Sequence, residues 1–309
     1  MPTSKLAQLS KVRLEYFEHG HGPERIVLIH GFQASARIWA MVQEALPADR
    51  YTTIAINNRG AGNSDAPPNE SDFGVQPFAA DAHELVLRLG WDQFTLVGHS
   101  LGGATVAQFA VDHPQLLKCL VLLDPADPDG RNGTAEEIER AVEGFSVARR
   151  ARLAHGGGGD GVAAPVVAAP VIVAPVIGSR SNSTGSAVAD IGARGTGAPT
   201  ELLSLLTADM NNAPERRLRG SLRSMFQIRV GDRLRALSVP MLLICGDQDE
   251  LIPLQNMLDT WAKLPPGAGL HVWHGIGHSP NLDCPQALAA VLQQFVEVTV
   301  ASNPLPTRN

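Results

Sequence analysis

The stretch VGHSLGG, residues 97–103, decides how the rest of the chain is interpreted. Ser100 has a glycine two positions away on either side, Gly98 and Gly102, and it separates an apolar β-type run from a helical one. A serine that projects from so tight a strand-to-helix turn leaves no room for side chains at those two positions. The amide groups at the start of the following helix also point toward Ser100 and favour negative charge there. The stretch therefore predicts a nucleophilic serine.

The pattern G-x-S-x-G is weak on its own, because a chain of this length contains one by chance about one time in ten. Its context is more specific, since apolar runs of strand length alternate with helical stretches on both sides of it. The strand-like runs, some with the loop that follows, are RIVLIHG (25–31), YTTIAIN (51–57), QFTLVGHS (93–100), LKCLVLLDP (117–125), PMLLICGDQDELIP (240–253) and LHVWHGIGHSP (270–280). Such a pattern is typical of a parallel sheet covered by helices on both faces. The sequence therefore predicts an α/β fold.

The alternation stops between residues 129 and 216 and then resumes. Because the strands before and after this gap belong to one pattern, we expect one α/β domain made of residues 1–128 and 217–309. Residues 129–216 are predicted to be an insertion. The insertion begins with a helical stretch at 134–154, but Gly, Ala, Pro, Val and Ser dominate residues 156–199.

The insertion contains the apolar stretch AAPVVAAPVIVAPVIG, residues 163–178, with a proline at every fifth position. A membrane-spanning helix needs about 20 apolar residues, and each proline would remove one of its hydrogen bonds. We therefore expect no membrane span here, but a cap or lid over the active site that would decide substrate specificity. Two interpretations of residues 156–199 stay open, a disordered lid or a segment translated out of frame, as the abrupt change of composition suggests.

A nucleophilic serine needs a base and a group that orients the base. We predict that His278, in the loop after the last strand, is the base and that Asp249, in the loop after the preceding strand, orients it. Both follow the carboxyl end of a predicted strand, as Ser100 does, and catalytic groups collect at that end of open α/β sheets. Asp247 and Asp124 are alternative candidates for the acid.

Other histidines offer weaker candidates for the base. His99 is the variable position next to Ser100 and is expected to pack or to form a hydrogen bond nearby, and His271 is expected to be structural. His274 and His278 stand four residues apart, a spacing that zinc-binding helices use. The intervening Gly-Ile-Gly is a poor helix former and the chain has no H-E-x-x-H sequence, so we predict no metal site.

Acyl transfer also requires two N–H groups directed at the oxyanion of the tetrahedral intermediate. We predict that one is the backbone N–H of Leu101, directly after the serine, and that the other is the N–H of Phe32, the first residue past the glycine of RIVLIHG. The side chain of Phe32 is also expected to form a wall of the acyl pocket.

Five motifs together resemble the α/β-hydrolase fold superfamily, in its serine-nucleophile, cap-containing, carboxylesterase-like branch. They are HGF (30–32), NNRGAGNSD (57–65), GHSLGG (98–103), CGDQDELIP (245–253) and GIGHSP (275–280). The resemblance implies a mostly parallel central sheet flanked by helices, with an inserted cap. One position departs from the family's D-x-R-G-x-G-x-S loop, because Asn57 stands in place of the aspartate; we expect little consequence, since Asn forms similar turn hydrogen bonds.

The resemblance implies hydrolysis of a small-molecule carboxylic ester, thioester or lactone through an acyl-enzyme on Ser100, without a cofactor. A serine nucleophile excludes the aspartate-dependent dehalogenases and epoxide hydrolases of the same fold, and His99 before the serine favours esters over C–C bonds. C–C hydrolases and cofactor-free perhydrolases or haloperoxidases remain alternative enzymes. A ligand receptor or signalling protein that keeps the triad but turns over slowly is the alternative of another class.

Composition and charge restrict partners and compartment. The net charge of −6 argues against a nucleic-acid partner, because phosphate binding requires clustered Lys and Arg. The three cysteines, Cys119, Cys245 and Cys284, form no disulfide pattern, and the N-terminal residues lack the apolar core of a signal peptide. We therefore predict a cytoplasmic protein that acts on a small molecule and has no membrane partner; the sequence does not determine its oligomeric state.

Overall fold

The computed structural model of the chain describes residues 2–130, 133–154 and 197–302. Within them, eight strands form one sheet: β1 Thr3–Gln8, β2 Arg13–Gly20, β3 Glu24–Ile29, β4 Tyr51–Ile56, β5 Phe94–His99, β6 Leu117–Leu123, β7 Met241–Gly246 and β8 Gly269–Trp273. The strands lie in the order β1-β2-β4-β3-β5-β6-β7-β8. All neighbours from β4 to β8 are parallel, whereas β2 is antiparallel to both β1 and β4. The predicted, mostly parallel sheet is therefore confirmed.

Helices cover both faces of this sheet. Their bounds are α1 Ala40–Ala45, α2 Val75–Arg88, α3 Leu101–Asp112, α4 Ala135–Ala154, α5 Thr200–Asn212, α6 Glu215–Gln227, α7 Gly231–Arg235, α8 Leu254–Ala262, α9 Pro280–Asp283 and α10 Pro285–Ser302. Successive side chains of a strand point to opposite faces. Accordingly, Val27 and Ile29 pack with α2 and α3 in one apolar cluster, while Ile26 and Leu28 pack with α1 and α10 in the other. The strands β3, β5, β6 and β7 are mostly apolar because both of their faces are largely buried.

The insertion predicted between β6 and β7 begins with α4 and ends with α5 and the start of α6. The boundary predicted at residue 217 lies inside α6, whose residues Arg217, Leu218 and Phe226 are buried. The proline-containing stretch 163–178 lies outside the described residues, as does nearly all of the segment 156–199. Among the helices that the structure describes, none combines the length and the apolarity needed to cross a membrane.

Asn57, directly after β4, makes two side-chain hydrogen bonds that connect three parts of the fold. Its Oδ1 accepts the Ala36 N–H at 2.6 Å, and its Nδ2 donates to Oε2 of Glu15 at 2.7 Å. Glu15, on β2, also accepts hydrogen bonds from Ser4 and from both the backbone and the side chain of Asn63. The first bond reaches Ala36, 21 positions away, so it joins two distant segments and is not the local turn bond expected from the sequence. The second requires an amide, because a carboxylate at residue 57 has no hydrogen to donate to Glu15.

Candidate active site

Ser100 occupies a strained turn between β5 and α3. Its backbone angles, φ 55° and ψ −120°, lie in a region that side-chain-bearing residues rarely adopt. A Cβ atom on Gly98 would lie 2.2 Å from the carbonyl oxygen of Gly102, and a Cβ on Gly102 would lie 2.3 Å from that of Ile29. Side chains at both positions would therefore collide with backbone, at Gly98 within the turn, as the sequence predicts, and at Gly102 with the neighbouring strand β3.

His278 and Asp249 form a buried hydrogen-bonded pair. His278 Nδ1 lies 2.6 Å from Asp249 Oδ2, and the two side chains are 4% and 0% exposed. The other carboxylate oxygen, Oδ1, accepts the backbone N–H groups of Leu251 at 2.8 Å and Ile252 at 2.9 Å. The loop after β7 thus fixes the carboxylate, and the carboxylate fixes the imidazole from the loop after β8.

Two opposing effects act on the Asp249 carboxyl group of this pair. Burial alone would raise the pKa of its carboxyl group, but the neighbouring His278 and the two backbone N–H donors outweigh burial and hold that pKa below its usual value. Asp249 is therefore ionised at neutral pH and accepts a hydrogen bond from the N–H group at Nδ1 of His278.

One of the two alternative acids suggested by the sequence, Asp247, bonds a different histidine. Asp247 accepts hydrogen bonds from His274 Nδ1 at 2.6 Å and from the Gly275 N–H at 2.7 Å. The His274 side chain is 94% exposed. The aspartate that bonds His278 is thus Asp249. The other histidine of the H-x-x-x-H spacing, His274, bonds a different carboxylate.

His99 contacts the backbone of His278. Its Nε2 lies 2.7 Å from the His278 carbonyl oxygen, and burial together with the nearby His278 lowers the pKa of the His99 ring to about 3. Because the ring is neutral and a carbonyl only accepts, Nε2 carries the proton and donates it. This bond joins the residue next to Ser100 to the residue predicted as its base. His271, by contrast, packs its ring on Trp273 within β8.

The two predicted oxyanion donors lie next to this turn. A Cβ atom on Gly31 would lie 2.9 Å from the Ser100 Cβ, so the loop that carries Phe32 runs directly beside the serine. Leu101 is the first residue of α3, where backbone N–H groups lack partners inside the helix. The Phe32 ring lies 5.2 Å from the ring of Phe145 in α4. The inserted helix therefore contacts the loop beside the serine.

Asp124 is a further member of the site, although the sequence suggested it only as an alternative acid. It follows β6 directly and is fully buried, and a ligand atom of Asp124, Asp249 and His278 lies within 4.8 Å of each of the other two. Such a cluster resembles a metal site. However, ligand atoms around a tetrahedral zinc ion lie about 3.4 Å apart, whereas 2.6 Å between His278 and Asp249 corresponds to a direct hydrogen bond.

Comparison with known proteins agrees with this architecture. Residues 24–167 match the model of a family described as the alpha/beta hydrolase fold. The chain has the alpha/beta hydrolase fold. Fluoroacetate dehalogenase from a Burkholderia species is 35% identical over 123 residues, which are 39% of this chain and 40% of the dehalogenase. The match thus covers less than half of that relative's length.

Two solved structures resemble the α/β-hydrolase chain over nearly its whole length. An esterase from Exiguobacterium antarcticum has a TM-score of 0.73 at 18% identity and covers 96% of this chain and 100% of its own. A bromoperoxidase from Bacillus anthracis has a TM-score of 0.73 at 20% identity, with coverage of 96% and 100%. At these identities the likeness concerns the fold.

Proposed function

We propose that this protein is a serine hydrolase that cleaves a small-molecule carboxylic ester, thioester or lactone through an acyl-enzyme. The observation that carries the proposal is the buried Asp249–His278 pair beside a strained serine turn. Because β5, β7 and β8 run parallel, the loops with Ser100, Asp249 and His278 leave the same edge of the sheet. The His99 bond to the His278 carbonyl supports their proximity.

In this reaction Ser100 Oγ attacks the carbonyl carbon while His278 Nε2 takes the hydroxyl proton. Asp249 stabilises the imidazolium that forms, since it already accepts the Nδ1 proton. The N–H groups of Leu101 and Phe32 hold the oxyanion, and His278 returns the proton to the leaving alcohol or thiol. Water, activated by the same histidine, then releases the acid and restores Ser100.

The identity of the nucleophile supports acyl chemistry over the chemistry named for the dehalogenase relative. When an aspartate attacks an alkyl carbon, the product is an ester that water can cleave. A serine attacking the same carbon would give an ether, which water does not cleave at a useful rate. Ser100 is therefore suited to carbonyl substrates, whose acyl-serine intermediate is hydrolysable.

The test is turnover of p-nitrophenyl acetate by the purified protein, followed by a panel of esters, thioesters, lactones and vinylogous ketones. We expect ester turnover that Ser100→Ala abolishes, together with labelling of Ser100 by a serine-reactive phosphonate. Labelling that survives Ser100→Ala would refute the assignment of the nucleophile. Turnover of the vinylogous ketones alone would favour a C–C hydrolase, and tight binding without turnover would favour a receptor.

A further inference from the structure

Asp124 occupies a strained position between the strands that precede the proposed catalytic residues. It directly follows β6, whose neighbours in the sheet are β5, before Ser100, and β7, before Asp249. Its φ of 39° lies in the left-handed region that residues with a side chain rarely adopt. Such strain is retained where the surrounding structure holds it in place, and it is frequent at functional sites.

The two carboxylate oxygens of Asp124 have different surroundings. Oδ1 accepts the backbone N–H of Gly246, at the end of β7, at 3.1 Å. Oδ2 is buried and receives no hydrogen bond from the donors that the structure describes. A carboxylate oxygen of Asp124 lies within 4.8 Å of one of Asp249, and a side-chain hydrogen bond with Asp249 acts on the Asp124 carboxyl group. A carboxyl oxygen so placed can carry a proton and donate a hydrogen bond.

The distribution of donors decides which of the two carboxyl groups is ionised. Asp249 accepts three hydrogen bonds, two from backbone N–H groups and one from His278. Asp124 accepts one, so burial, and next to it the charge of Asp249, raises the pKa of Asp124 well above its usual value. Five titratable groups face Asp124 from the elements packed against it. They are Cys245 on β7, Asp249 in the loop after β7, His278 in the loop after β8, Asp283 on α9, and Cys284 between α9 and α10.

We propose that Asp124 is a positioning residue that stays protonated at neutral pH and donates a hydrogen bond to Asp249. When residue 249 has no charge, Asp124 becomes the acceptor for the His278 N–H. This inference rests on the proposed serine-hydrolase function. In the wild-type protein the carboxyl pair holds one proton and one negative charge. When residue 249 is neutral, the proton of Asp124 passes to solvent and its carboxylate accepts the His278 Nδ1–H.

The first test requires no turnover. The infrared difference spectrum of wild type minus Asp124→Asn is recorded at pH 7, in the region of the C=O stretch of a protonated carboxylic acid. We expect a positive band, because the amide variant lacks the acid. No band in that region would show that Asp124 is ionised and would overturn the proposal. If the band is present but the protein hydrolyses no ester, the protonated carboxyl pair is supported and the proposed function is refuted.

The second test is a double-mutant cycle with Asp124→Asn and Asp249→Asn, measured as kcat for the best ester. Asparagine can still donate to Asp249 and accept from Gly246, so Asp124→Asn alone should lower kcat by no more than about threefold, with KM unchanged. In the Asp249→Asn background the same change should lower kcat by a further factor of about ten or more, because no carboxylate then remains beside His278. A purely structural role would give the same factor in both backgrounds and would contradict the proposal.

Two further variants complete the cycle. Asp124→Leu removes the donor and should lower kcat more than Asp124→Asn, at equal melting temperature. Asp247→Asn is the matched control, since it neutralises an aspartate in the same loop that bonds His274 instead. Combined with Asp249→Asn it should give additive effects, and a synergistic loss would show that the coupling is not specific to Asp124. If Asp124→Leu does not fold, the two asparagine variants and the infrared band still decide the question.

Discussion

Two His–Asp pairs are built by the same two loops, and they differ in burial. In each, a histidine Nδ1 lies 2.6 Å from an aspartate oxygen: His274 with Asp247 and His278 with Asp249. The first pair is 94% and 20% exposed in its side chains, the second 4% and 0%. Exposed pairs are screened by water and salt, whereas burial makes each charge act strongly on its neighbour. The hydrogen-bond length alone therefore does not identify a catalytic pair.

The largest difference between the pairs should appear when each histidine is removed. We expect His278→Ala to lower kcat by about a millionfold, as loss of a triad base does elsewhere, because Ser100 then lacks its proposed base. The matched change His274→Ala should stay within about twofold, since an exposed pair affects little beyond itself. Initial rates with p-nitrophenyl acetate measure both. A loss of similar size in both variants would break the distinction by burial.

Neutralising the aspartates should give the next largest contrast. Asp249→Asn should lower kcat by about a hundredfold to ten-thousandfold, because the amide cannot stabilise the imidazolium of His278. A loss near the lower end of that range is expected if Asp124 takes over as the acceptor for the His278 N–H. Asp247→Asn should cost less than about threefold. Equal losses in the two variants would mean that the acid has been assigned to the wrong residue.

A smaller effect is expected from the hydrogen bond that His278 receives at its backbone carbonyl. The buried pair is also held through the carbonyl oxygen of His278, which accepts the N–H of His99. His99→Phe keeps the bulk of the ring but removes this donor, and we expect kcat to fall by about tenfold with little change in KM, since a mispositioned base costs rate. His271→Phe, the same change within β8, serves as control. An unchanged kcat in His99→Phe would show that the hydrogen bond from His99 to the His278 carbonyl does not position the base.

The smallest effect should be on stability. The Gly275 N–H, and after it His274, hold the pKa of Asp247 below its usual value. A lowered folded-state pKa stabilises the protein above the unfolded-state pKa of about 3.9, and this stability is lost as pH falls through the folded value. Urea unfolding of wild type and Asp247→Asn should therefore differ most above pH ~5 and converge in acid. A difference that grows below pH 4 would contradict the direction of the shift.

The fold and much of the site could be predicted because they depend on local patterns. The parallel strands are apolar on both faces, so they stand out from the helices between them. The steric need for glycine at residue 98 lies within the heptapeptide itself, since a Cβ there would meet the carbonyl oxygen of Gly102. The meeting of the loops after β7 and β8 could be predicted, because parallel strands bring their following loops to one edge.

Other features depend on contacts between distant residues and have no local signal. The side chains of β1 are almost all exposed, so only its backbone pairing with β2 makes it a strand. The choice between Asp247 and Asp249, two residues apart, depends on which one the loop buries. The proximity of Asp124 to Asp249 requires the register of β6 and β7, which a single sequence does not contain.

The Asn57–Glu15 hydrogen bond has a consequence for recombination between relatives. The amide at 57 and the carboxylate at 15 form one donor–acceptor unit, although 42 positions of sequence separate them. A chimera that acquired an aspartate at residue 57 with a transplanted loop, but kept Glu15, would place two carboxylates in contact without a hydrogen between them. The viable crossover points are therefore those that exchange β2 together with the loop after β4. Residues 15 and 57 form a compatibility unit that any loop library for this scaffold must respect.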